Sequence, residues 1–171
     1  MSGRIRATLL ASTCLLGGGI TAAQAADCGS ALFVCESVRP GHVIALCATE
    51  HEDGTWHDVQ YRFGPEDAPE LVYPADASQG AARMFFSHEQ RGRDYRVSVR
   101  FLNGDQGYRV YSHSAGGAGV IVTDARGTHV ATVRCAERPR LFSTYLRQTL
   151  ACDADGPHGR RACREDPVRT R

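Results

Sequence analysis

The chain has 171 residues, 42% of them hydrophobic and 23% charged, which fits one globular domain and excludes a disordered or low-complexity protein. Its formal net charge is only +1, so bulk electrostatics gives no case for a nucleic-acid partner. All twenty basic residues are arginine, a usage that codon bias in a GC-rich bacterial genome accounts for.

The first element is read as a secretory leader. Arg4 and Arg6 open it, an apolar run follows from Ala7 to Ala23, and Ala23-Gln24-Ala25 has the small-residue pattern of a cleavage site. Residues 1–25 are therefore expected to be a signal peptide, leaving 146 residues in the mature chain and placing it in the periplasm or outside the cell. The apolar run is short and contains Gly17 to Gly19, and nothing later approaches the roughly 20 apolar residues of a membrane span. A lipid anchor at Cys14 is the competing reading, but Ala11-Ser12-Thr13 is a poor lipoprotein box.

Six cysteines remain after cleavage: Cys28, Cys35, Cys47, Cys135, Cys152 and Cys163. In an oxidising compartment an even number implies disulfides. Spacing leaves all fifteen pairings open, but it favours local Cys28–Cys35 and Cys152–Cys163 loops with a long tie between Cys47 and Cys135. Zinc is the rival use of these cysteines, and it is disfavoured because no C-x2-C pair occurs.

From His42 to Gly64 the pattern predicts a β-hairpin folded about Asp53-Gly54. That register sets Ala48 against Val59, Leu46 against Tyr61 and Ile44 against Phe63 on one face. Cys47 with Gln60 and Ala45 with Arg62 fall on the other, and a one-residue slip would bury Arg62. A short strand follows at Glu70 to Tyr73, then an extended stretch from Arg83 to His88. Tyr95, Val97, Val99 and Phe101 next alternate with Arg96, Ser98 and Arg100. After the Asn103-Gly104 turn come strands at Gly107 to Ser112, Val120 to Thr123 and Thr128 to Cys135, with a loose loop from Ser112 to Gly119.

Arg138-Pro139 is expected to open a helix, because Leu141, Phe142, Tyr145, Leu146, Thr149 and Leu150 recur at helical spacing. The fold class is thus mainly β: an antiparallel sandwich or small barrel of about eight strands with one C-terminal helix. Residues 26–165 form the single disulfide-braced domain, and 166–171 a disordered tail.

Candidate chemistry is sparse. His51 and His57 flank the hairpin tip, but the two-residue turn sends them to opposite faces, which disfavours a shared metal. Asp153-Ala154-Asp155-Gly156 resembles the start of a calcium loop, yet no Glu closes the frame, so it reads as a turn. No G-x-S-x-G elbow or phosphate-cradling glycine loop occurs, and no cofactor is expected. A small envelope enzyme would have to draw on His51, His57, His88, His113 or His129, which no register brings together. The chain is therefore expected not to be an enzyme.

The residues expected to meet a partner are Tyr111, Ser112, His113, Ser114, Gly116 and Gly117 in the small-residue loop, and Trp56, the only tryptophan. A slim loop on a braced scaffold suits insertion into another protein's cleft, because little ordering cost remains.

Tyr61-Arg62-Phe63-Gly64, Glu70-Leu71-Val72-Tyr73-Pro74, Phe86-Ser87-His88 and Gly107-Tyr108-Arg109-Val110-Tyr111 followed by Ala118-Gly119-Val120 resemble the core of small exported proteins of proteobacteria, over about Val43 to Cys135. In composition, Ser112 to Gly117 is similar to the Ser- and Gly-rich loops of periplasmic lysozyme inhibitors, although the Arg-Tyr that follows the element in one inhibitor class is absent here. The resemblance implies a periplasmic inhibitor, or an immunity protein, whose partner is a lysozyme-like or other peptidoglycan hydrolase. A structural or assembly protein of the bacterial envelope is the alternative.

Overall fold

A computed structural model describes residues 28–156 and Cys163. The expected leader, residues 1–25, and the expected tail, 166–171, lie outside the described residues. In chain order the strands are β1 (Ser30–Glu36), β2 (Val43–Glu50), β3 (Trp56–Gly64), β4 (Leu71–Tyr73), β5 (Met84–Arg91), β6 (Asp94–Asn103), β7 (Gln106–His113), β8 (Gly117–Thr123), β9 (His129–Arg134), β10 (Arg140–Leu141) and β11 (Ala151–Cys152). A 3-10 turn at Ala77–Gln79 leads into α1 (Gly80–Arg83), and α2 (Ser143–Thr149) lies between β10 and β11.

Two sheets form the sandwich. One runs β10-β1-β2-β3-β4, the other β11-β5-β6-β7-β8-β9, and every pairing is antiparallel except β11 on β5. Eight of these strands match the expected segments; β1, β10 and β11 are additional.

Alternation along the strands builds the core. Ile44, Leu46 and Tyr61 of the first sheet meet Val97, Val99, Phe101 and Val110 of the second, and all are buried. Burying each such side chain contributes about 1.5–3 kcal/mol, so the interface between the sheets is the main source of stability. At one end Tyr73, Phe101 and Tyr108 stack in series, with ring centroids 4.7 and 5.0 Å apart. Gly119 lets β8 and β9 approach: a Cβ there would stand 2.2 Å from the Val133 carbonyl oxygen.

The expected helix starts later than its periodicity suggests. Arg140 and Leu141 are extended and pair with Val34 and Phe33. The unpaired edge of β1 offers backbone hydrogen bonds that the first helical turn would have to forgo. Leu146 and Leu150 are buried in the core, so α2 closes the passage from one sheet to the other.

The disulfides are Cys28–Cys47, Cys35–Cys135 and Cys152–Cys163. The local Cys152–Cys163 loop is as expected, whereas the expected Cys28–Cys35 and Cys47–Cys135 bonds are replaced by Cys28–Cys47 and Cys35–Cys135. The reason is facial. Cys47 pairs with Gln60 on the outward side of β2, so it cannot reach across the core, while Cys35 stands opposite the buried Ile44. Cys35 therefore bonds Cys135, which follows β9, and ties the sheets together. Three disulfides fit an oxidising compartment.

Candidate functional site

A groove of about 1210 Å³ lies on the outer face of the five-stranded sheet. Its floor follows from strand alternation: Val34, Val43, Ala45 and Cys47 put small apolar side chains outward, and the Cys28–Cys47 bond lies across them. One wall is aromatic. Trp56 packs on Tyr145 with ring centroids 5.0 Å apart, and Phe142 stands 6.1 Å from Tyr145. Phe142 and Tyr145 are exposed.

The opposite end is the loop after β3, Gly64 to Pro69, which presents Glu66 and Asp67. Gly64 has φ +129°, and a Cβ there would meet the Glu70 nitrogen at 2.4 Å, so only glycine permits this fold-back. Arg62 lies in the groove with a fixed orientation. Its Nε and Nη2 donate to Gln60 Oε1 at 3.0 and 2.9 Å, while buried Gln60 donates through Nε2 to the Pro74 carbonyl at 2.8 Å.

Trp56 is half-buried, and its Nε1 is buried without a hydrogen-bond acceptor. At the hairpin tip the structure corrects the expected register. The loop spans three residues instead of two, with the Gly54 N–H bonded to the His51 carbonyl and Gly54 at φ +77°. That sets Thr49 opposite His57 and Glu50 opposite Trp56. Asp58, at φ +55°, then adds a residue to β3 and restores the expected pairing from Cys47–Gln60 onward.

As a result His51 and His57 share a face, with ring centroids 4.3 Å apart, instead of pointing apart. Thr55 Oγ1 lies 2.9 Å from His57 Nε2, and Asp53 accepts from both the Thr55 hydroxyl and backbone N–H. Those bonds hold the Asp53 carboxyl below its ordinary range. Among the described residues, however, no group of three or more His, Cys, Asp or Glu is placed to hold a metal ion.

The small-residue segment is a tight turn between β7 and β8, not a long loop. Tyr111 and Ser112 are buried in β7, His113 and Ser114 are half-buried, and Gly116 and Gly117 are exposed at the tip. Ser114 fastens this end to β6: its N–H donates to the Tyr95 carbonyl at 3.0 Å, and its Oγ accepts from the Tyr95 N–H at 3.0 Å. The His113 ring stands 5.2 Å from Tyr111, and burial together with the Arg96 charge lowers its pKa. The remaining candidate histidines do not join the His51–His57 pair. His88 is exposed on β5, and His129 Nε2 is 2.9 Å from Thr132 Oγ1.

Two further polar clusters hold the fold together. On the six-stranded sheet, Arg100 donates from Nε to both Asp153 oxygens, at 3.1 and 2.9 Å, and from Nη2 to Oδ1 at 2.6 Å. Asp153 is only 2% exposed, and its hydrogen bonds and charge raise the Arg100 pKa. The acidic run that resembles a calcium loop thus serves as the counter-charge of an arginine. At the other end of the chain, His42 Nε2 lies 2.8 Å from Glu70 Oε1 and Arg39 Nη1 donates to Oε2 at 3.2 Å, so Glu70 titrates below its ordinary value.

No helix among the described residues is long and apolar enough to cross a membrane. Comparison with protein-family models, with curated proteins and with solved structures found no match. Of the residues expected from sequence to meet a partner, only Trp56 lines the groove. Phe142, Tyr145, Glu66 and Asp67 were not anticipated, although Pro65 and Pro69 bracketing an acidic pair are a signal for a presented loop.

Proposed function

We propose that this chain is an exported protein-binding protein that acts in the periplasm as an inhibitor or immunity protein against a cell-wall-degrading enzyme, gripping its target in the groove of the five-stranded sheet. The observation that carries this reading is the groove itself: an apolar floor, an aromatic wall and an acidic end, set on a sheet that disulfides stiffen. A prepared surface of this kind loses little entropy on association, and exposed aromatics are the side chains that contribute most at protein interfaces. The leader-like residues 1–25 supply the export signal.

A second reading has its own support. The Ser114 bonds make the Gly116-Gly117 tip a rigid projection, so the β7–β8 turn could enter an enzyme cleft as inhibitor loops do. One experiment separates the two. Mature protein is titrated into peptidoglycan hydrolysis assays with lysozyme-like hydrolases, beside Ala45→Trp, which fills the groove, and Gly117→Trp, which blocks the turn. Stoichiometric inhibition abolished by Ala45→Trp supports the groove, and loss with Gly117→Trp supports the turn. Absence of inhibition and of any complex at micromolar concentration rejects the inhibitor reading.

A further inference from the structure

The groove has two chemically different ends, and the distance between them limits what it can hold. β2 runs the length of its floor from Val43 to Glu50, and at about 3.3 Å per residue this is roughly 23 Å. An extended segment of about six or seven residues spans that distance. The groove is open, and its 1210 Å³ exceeds the pockets that enclose compact small molecules, about 300–1,000 Å³. Both measures suit a linear occupant.

Charge fixes what one end requires. Glu66 and Asp67 are exposed and make no ion pair among the described residues. Their loop is held by Pro65 and Pro69, and the Ala68 N–H donates to the Pro65 carbonyl at 3.2 Å. Two carboxylates on a stiff loop at the mouth of a groove whose other charged lining residues are Glu50, Arg62 and Arg140 meet a cation at little ordering cost, Arg62 being already bonded to Gln60. Trp56, Phe142 and Tyr145, at the other end and along the side, offer flat faces to proline or apolar side chains.

We infer that the groove binds an extended peptide segment of the partner, about six residues long, with an Arg or Lys side chain against Glu66 and Asp67 and a proline or apolar side chain against the Trp56–Tyr145 wall. This rests on the groove being the contact surface. A second copy of the chain and a glycan strand are the other occupants, and the experiment separates them from a peptide.

The probe is a phage-displayed library of random twelve-residue peptides, panned against the full mature chain. Selected peptides are then synthesised and titrated while the emission of Trp56, the only tryptophan, is recorded. The expected result is a consensus with Arg or Lys about five or six residues from a proline or aromatic anchor, a shifted Trp56 emission on binding, at least tenfold weaker binding to Glu66→Gln/Asp67→Asn, and no change with Gly117→Trp. Selected peptides without a basic residue, equal binding to the double variant, or an empty selection would each overturn the inference. So would groove-dependent binding of soluble peptidoglycan fragments in preference to peptides, or a dimer that the same two substitutions dissolve. The outcomes separate from those of the inhibitor reading: peptide binding without hydrolase inhibition retains the groove and removes the inhibitor, and hydrolase inhibition insensitive to Glu66→Gln/Asp67→Asn does the reverse.

Discussion

The outer faces of the two sheets come from the same alternation, yet they carry different chemistry. On the five-stranded sheet the outward positions of β1 and β2 are Val34, Val43, Ala45 and Cys47, small and apolar. On the six-stranded sheet the corresponding positions of β6 and β7 carry Arg96, Arg100 and Arg109, and Arg100 is spent on Asp153 of the returning C-terminal segment. One face is a groove with a small apolar floor, while the other is an arginine-bearing surface of which one cation is bonded to the chain's own C-terminal segment. Substitutions on the first, its disulfide and its packed Trp56 apart, should therefore change binding more than stability, and those on the second stability more than binding.

The sharpest test of that division uses the disulfides, one between the sheets and one on the groove floor. Cys35–Cys135 closes a separation of 100 residues and Cys28–Cys47 one of 19. In the chain-entropy model, removing the first should cost about 4.7 kcal/mol and the second about 3 kcal/mol. Urea unfolding of Cys35→Ala/Cys135→Ala and Cys28→Ala/Cys47→Ala measures both. Equal losses would mean that loop closure is not what these bonds contribute.

Next in size is the buried ion pair of the six-stranded face. Arg100→Ala leaves Asp153, 2% exposed, without its cation, and breaking such a pair costs about 3–5 kcal/mol. Arg100→Met/Asp153→Leu should recover most of that loss, since the pair's attraction is largely offset by its desolvation. Both proteins should bind a groove ligand as the wild type does. Weakened binding in the folded double variant would show that the two faces communicate.

A smaller effect is expected from His113 on the same face. Burial first, then the Arg96 charge, depress its folded pKa, with Glu89 opposing. A depressed histidine leaves its stabilising contribution complete above the ordinary value of 6.5 and removes it as pH falls below that value through the folded pKa. The melting temperature should decline modestly from pH 7 to pH 5, and His113→Gln should flatten the decline. An unaltered slope in that variant would assign the acid sensitivity between pH 7 and pH 5 elsewhere; Glu70, whose pKa is also depressed, withdraws its contribution only below its ordinary value of 4.5.

The lower half of the hairpin was legible because it is a burial pattern: Ile44, Leu46, Tyr61 and Phe63 admit one register, and the structure has it. Its tip was not, because Asp58 in a left-handed conformation and a three-residue loop with Gly54 at its end shift the pairing by one and then restore it. Neither leaves a hydrophobic period to read. The cysteine pairing was recoverable in principle, since the same alternation that placed Cys47 outward forbids it from crossing the core; loop length was the weaker guide. β1 was hidden because both its faces are apolar, from Ala31 to Cys35, and a local Cys28–Cys35 loop would have prevented a strand there. The groove was illegible for a related reason. Tyr145 and Phe142 recur at helical spacing, but two residues of β10 are drawn into the sheet, so the helix begins late and its aromatics face the floor of another element.

The smallest expected effect returns to that wall. The Trp56 N–H is buried without an acceptor, and such an orphan donor costs about 1–3 kcal/mol. Phenylalanine keeps a ring against Tyr145, 5.0 Å away, and removes the donor while giving up part of the indole's apolar area. These two changes oppose each other, so Trp56→Phe should unfold within about 0.5 kcal/mol of the wild type, whereas Trp56→Ala, which also leaves a void beside Tyr145, should lose about 2 kcal/mol or more. Peptide binding should rank differently, with Trp56→Phe weakened several-fold because the smaller ring offers less surface to a proline. Were Trp56→Phe to lose as much stability as Trp56→Ala, the indole N–H would have a partner in solution, and the wall would be a structural element before it is a contact surface.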